Sequence, residues 1–166
     1  MIVVADAGPL LHLHWVDAAG WALPPVDILV VDAVWQEVTA YAPDALRDTR
    51  LQRVQGPVDV PAVLSTWKLD DGEIAALALA LSQRDRDEVL VLCDERMARR
   101  ACSTLQLGVT GSIGLIIEAH RADRVSAATA IQTLRELPQR GRLRVDSSLI
   151  DRAIAAVGAG RYAGMR

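Results

Sequence analysis

Four acidic residues stand at positions where their neighbours call for an apolar side chain: Asp6, Glu37, Glu73 and Asp94. Asp6 follows the run Ile2-Val3-Val4-Ala5, and Asp94 follows Val89-Leu90-Val91-Leu92-Cys93, so each ends a segment with the composition of a buried strand. Glu37 lies between Val34, Val38 and Tyr41, inside the apolar stripe of a helix at 3.6 residues per turn. Glu73 shares its helix face with Ala76, Leu77 and Ala80. A carboxylate aimed at a core is costly unless something pairs it. Four of them with no basic residue in sequence reach point to a divalent cation. Oxygen donors, with no His or Cys constellation competing, select magnesium or manganese over zinc. An acidic cluster of this kind activates water and stabilises the leaving oxygen in phosphodiester cleavage.

Each acid also has a plainer reading. Asp6 and Asp94 match residues that end a strand and cap a helix. Asp70 with Glu73 matches a capping box, and Glu37 can reach solvent from the end of a short helix. It is the coincidence of four positions that favours the metal site. Asp32 and Asp71 match helix-start signals and no inward face, so they are read as caps. His12, His14 and His120 read as packed or surface residues, and Cys93 as a small hydrophobe. Arg96 and Arg100, one helical turn apart beside Asp94, suit a solvated face or RNA phosphates equally. Ser112 suits a cap or a phosphate contact.

The elements that must hold these residues alternate strand with helix. Apolar runs at residues 2–5, 28–31, 89–93 and 107–110 read as strands, and Val58-Asp59-Val60 as a weak edge strand. Helices are expected from Gly8 to about Val16, from Ala33 to Tyr41, from Pro43 onward with Arg47, Arg50 and Arg53 on a polar side, and over 73–82. Another follows Asp94, one starts at Ser112, and two more cover about 126–137 and 147–157. Apolar strands separated by helices imply a three-layer α/β/α sandwich on a mostly parallel, doubly wound sheet.

The chain has 166 residues, 51% hydrophobic and 23% charged, which suits one globular domain over residues 1–158 with a flexible tail at 159–166. The net charge of −3 gives no global field for nucleic acid, so RNA contacts must come from a local patch. Lys68 is the only lysine; the rest of the basic residues are arginine. Cys93 and Cys102 form neither a zinc spacing nor a disulfide framework, which favours a reducing cytoplasm. The N-terminus lacks a signal-peptide pattern, and no apolar stretch is long enough to span a bilayer.

The sequence resembles PIN-domain proteins along nearly its whole length. Val3–Leu10 resembles the first-strand motif with its metal-binding acid, here Asp6, and Val34-Trp35-Gln36-Glu37-Val38 the second-helix motif whose Glu is the second ligand. The segment Leu69–Leu77 resembles the one that carries the third acid, here Glu73, and Val91–Ala98 the motif of the fourth, Asp94. Val109–Gly114 resembles the turn that follows in one subgroup. The resemblance implies that these four acids bind Mg²⁺ or Mn²⁺ and cleave RNA. It extends to VapC-type toxins, which dimerise and are silenced by a small antitoxin. The sequence departs from the family at Ala7-Gly8, where many members have a small polar residue and Asn, and at Glu73, where Asp is commoner. The expectation is a cytoplasmic, homodimeric endoribonuclease; the alternative is an inactive PIN-like module that binds RNA or protein.

A receiver domain would need a lysine on a late strand, and Lys68 precedes the strand ending at Asp94. A haloacid-dehalogenase-like phosphatase needs a second Asp where Gly8 stands. A dinucleotide-binding fold needs a glycine pattern that Asp6-Ala7-Gly8-Pro9 lacks.

Overall fold

Short β-branched and leucine-rich runs set the strands, and alanine- and leucine-rich segments between them set the helices. The computed structural model describes residues 1–57 and 59–159. It opens with β1 (Ile2–Ala5), α1 (Ala7–Trp15), a one-turn α2 (Ala19–Ala22), β2 (Ile28–Val31) and α3 (Asp32–Tyr41). A 3₁₀ turn at Pro43–Arg47 leads to β3 (Leu51–Val54), and a second at Ala62–Thr66 leads to α4 (Asp71–Gln83). Then come β4 (Val89–Leu92), α5 (Arg96–Thr104), β5 (Gly108–Thr110), α6 (Ser112–Arg121), α7 (Ala127–Glu136) and α8 (Ser147–Ala159).

The five strands form one all-parallel sheet in the order β3-β2-β1-β4-β5. With eight α-helices among the described residues, this is the PIN-like α/β/α class that the alternation predicts.

Two compact units divide the chain. Of the described residues, the first holds Met1–Leu11 and Pro25–Gly111, and the second holds His12–Pro24 and those from Ser112 to Ala159. In the first unit α4 lies on β1, β2 and β4, α3 on β2 and β3, and α5 on β5. Val3, Val4, Ile28, Leu77 and Leu92 are fully buried there, which is why those strands read as continuous apolar runs. In the second unit α6 contacts α2, α7 and α8. Arg124 Nη1 donates to Trp21 O and Leu23 O, each at 2.7 Å, satisfying carbonyls at the end of α2. The Arg142 guanidinium lies over the Trp15 ring at 4.5 Å.

Several expectations need correcting. Pro43 opens only a 3₁₀ turn, and Arg53 belongs to β3. Asp48 causes the change: its Oδ1 accepts from Arg50 N at 3.0 Å and from Arg50 Nε at 2.8 Å, turning the chain out of the helix. The expected strand at 58–60 is not the edge: Val58 lies outside the described residues, and Asp59 and Val60 belong to no strand. The edge beside β2 is β3. Of the expected tail, Ala159 ends α8 and the remainder lies outside the described residues. No helix among the described residues is long and apolar enough to cross a membrane.

Candidate metal centre

The strand order reverses between β1 and β4, and open parallel sheets bind ligands in the crevice at the carboxyl ends of the strands flanking such a point. β1 and β4 pair from Ile2↔Val89 to Ala5↔Leu92, and Asp6 N donates onward to Leu92 O at 2.9 Å. Asp6 therefore ends the central strand as expected, with its side chain only 5% exposed. Burial pushes its carboxyl up to about 7, a backbone bond from Ala7 opposes the rise, and the charges of Glu73, Asp70 and Glu37 add to it.

Glu73 enters from the first turn of α4. Asp70 Oδ1 accepts from Glu73 N and Glu73 Oε2 accepts from Asp70 N, both at 2.8 Å, which completes a capping box. The structural reading and the site reading of Glu73 thus hold together: the residue caps the helix and is buried beside Asp6. Burial raises its carboxyl, the backbone bond from Asp70 opposes this, and the charges of Asp70, Glu95 and Glu37 add to the rise.

Glu37 reaches the same crevice from α3. It is half-buried, and burial followed by the charge of Asp70 raises its carboxyl. A Cβ at residue 72 would stand 3.2 Å from Glu37 Oε2, so Gly72 leaves the room that this carboxylate occupies. Val34 and Val38 are buried as the stripe requires, whereas Tyr41 is exposed. Glu37 therefore lies at the margin of the stripe.

Asp94 is placed differently. It is half-buried and is not among the charges acting on Asp6. Its Oδ1 lies 2.3 Å from the point where a Cβ of residue 111 would stand, so it occupies the space beside Gly111. Continuing the β1–β4 pairing by one residue sets Cys93 opposite Asp6. Cys93 Sγ donates to Asp6 Oδ2 at 3.6 Å. Burial and the Asp6 charge push its thiol far above the usual range.

Asp6, Glu73 and Cys93, all buried, each bring one ligand atom within 4.8 Å of the others. Among the described residues, the side-chain charges acting on both carboxylates are all acidic. Buried, mutually repelling carboxylates without a cationic partner are the donor set that a divalent ion satisfies, so the residues fit a metal. Sequence reasoning missed Cys93, Asp70 and Glu95 in this environment. Cys93 was legible only once the two strand ends were in register.

Neither Asp32 nor Asp71 is a cap. The residue before α3 is Val31, and Asp32 Oδ1 accepts from Arg53 Nε on β3 at 2.6 Å. Asp70 caps α4, leaving Asp71 as its exposed first residue. Arg96 and Arg100 are exposed on α5. Ser112 is buried at the start of α6, and His120 Nδ1 lies 3.1 Å from Val125 O.

A family model described as PIN domain matches residues 2–159. The chain belongs to the PIN-domain family. No curated protein and no solved structure matches it. The PIN domain is a nuclease fold, and in this PIN domain an acidic group able to hold a metal ion stands at the carboxyl ends of the central strands.

Proposed function

We propose that this PIN domain is a magnesium- or manganese-dependent endoribonuclease acting as the toxin of a cytoplasmic toxin–antitoxin pair. The observation that carries the reading is the burial of Asp6 beside Glu73, with Glu37 and Asp70 adding charge and, among the described residues, no cation opposing it. Asp6 and Glu73 would hold the ion and Glu37 would supply a carboxylate at the rim. Asp94 is the fourth expected ligand. When bound, the metal lowers the pKa of a water and neutralises charge on the phosphodiester. Arg96 and Arg100, exposed on the helix that starts just after Asp94, would pair with RNA phosphates and hold the strand. The toxin role rests on the resemblance to VapC-type proteins, and a small antitoxin is the partner it implies.

The test is cleavage of a mixed single-stranded RNA pool with Mn²⁺, with and without chelator, for the native chain, Asp6→Asn and Asp32→Asn. Asp6→Asn is nearly isosteric and should keep the fold while cleavage falls by orders of magnitude. Asp32→Asn, whose carboxylate pairs with Arg53 and adds no charge at Asp6, should cleave normally. Cleavage that survives chelation or Asp6→Asn would overturn the assignment. Metal binding without cleavage would instead favour an inactive binding module.

A further inference from the structure

We propose that Cys93 is itself a metal ligand, so that the centre also binds thiophilic ions such as Co²⁺, Zn²⁺ and Cd²⁺, more tightly than its carboxylates alone would. This deepens the metal-centre reading and rests on it. Three different parts of the fold converge here: the end of β1 brings Asp6, the first turn of α4 brings Glu73, and the residue after β4 brings Cys93. Their ligand atoms lie within 4.8 Å of one another, close enough for one ion to bind all three. The thiol already points at the shared space, because its Sγ donates to Asp6 Oδ2. Its position opposite Asp6 follows from the β1–β4 register, which the whole sheet fixes. A purely oxygen donor set suits Mg²⁺ and Mn²⁺; a thiolate in the set moves preference toward softer ions. The chemistry on binding is a ligand exchange without redox. The Cys93 S–H bond breaks, a sulfur–metal bond forms, and the proton leaves to solvent.

The experiment is titration of the metal-free full chain with Co²⁺, read by calorimetry and by near-ultraviolet absorption of a thiolate-to-cobalt charge transfer. The native chain and Cys102→Ser should both show the band. Cys102 is buried but outside the three-donor group. Cys93→Ser should lose the band and bind Co²⁺ at least roughly tenfold more weakly, with its Mg²⁺ affinity changed much less. Co²⁺ binding by the native chain without a charge-transfer band would remove Cys93 from the site and leave the carboxylate centre standing. A band that persists in Cys93→Ser would do the same. No Co²⁺, Mn²⁺ or Mg²⁺ binding by the native chain would overturn both this inference and the metal-centre reading. The native-chain result decides the matter even if Cys93→Ser fails to fold.

Discussion

At the scale of single residues the site is a contest between burial and charge, and burial sets the sign. The Asp6 carboxyl rises from 3.8 to about 7 on folding, chiefly because the charged form loses water. The folded state then binds more protons than the unfolded chain between these values, so stability is greatest below the unfolded value and falls as pH rises toward 7. In chelator, the unfolding free energy from denaturant titrations should decline across that window by about 4 kcal/mol or less. Asp6→Asn should flatten the profile. A native-chain profile that rises with pH over this range would contradict the assignment. Gly111 poses a second residue-scale test. A Cβ there would stand 2.3 Å from Asp94 Oδ1, which would have to shift, and 3.0 Å from the backbone Cys93 O, tighter than most Cβ contacts. Its φ is not positive, so space and not backbone conformation demands glycine. Gly111→Ala should destabilise by about 1–3 kcal/mol, measured by urea unfolding, as the Asp94 carboxylate and the strand end shift.

At the scale of elements, the first turn of α4 does two things with the same atoms. The Asp70–Glu73 capping box satisfies orphan amides and holds the Glu73 carboxylate beside Asp6. Asp70→Ala should therefore cost about 1 kcal/mol of stability and also weaken Mn²⁺ binding, read by calorimetry. A stability loss with unchanged affinity would show that the box does not position Glu73. The α3–β3 connection shows the opposite case, where a charge seen in sequence has only a structural use. Asp32 and Arg53 pair across two elements at a half-exposed site, an arrangement worth about 1 kcal/mol at most.

At the scale of the whole molecule, the metal should act as a folding ligand, since the site draws on β1, α4 and the segment after β4 and cannot survive unfolding. Mn²⁺ at a hundred times its dissociation constant should add about 2.7 kcal/mol to stability. Thermal melts with and without Mn²⁺ check this, and an unchanged midpoint in the native chain would argue against a site built on folding. The same increment should be absent from Asp6→Asn.

The sequence alone determined the layered α/β class, the four strands of the sheet centre and one edge, and the inward character of Asp6, Glu37 and Glu73. All of these follow from local periodicity, because apolar runs of strand and helix length must bury themselves. It could not find β3, whose Gln52 and Arg53 are exposed while Leu51 is buried, because an edge strand carries so little apolar pattern. Nor could it tell Cys93 from Asp94 at the end of β4. Both follow the same apolar run, and only pairing with β1 decides which one faces Asp6. Register is a property of two strands together. A one-residue step changes which side chain stands opposite Asp6, and tertiary structure alone set that step.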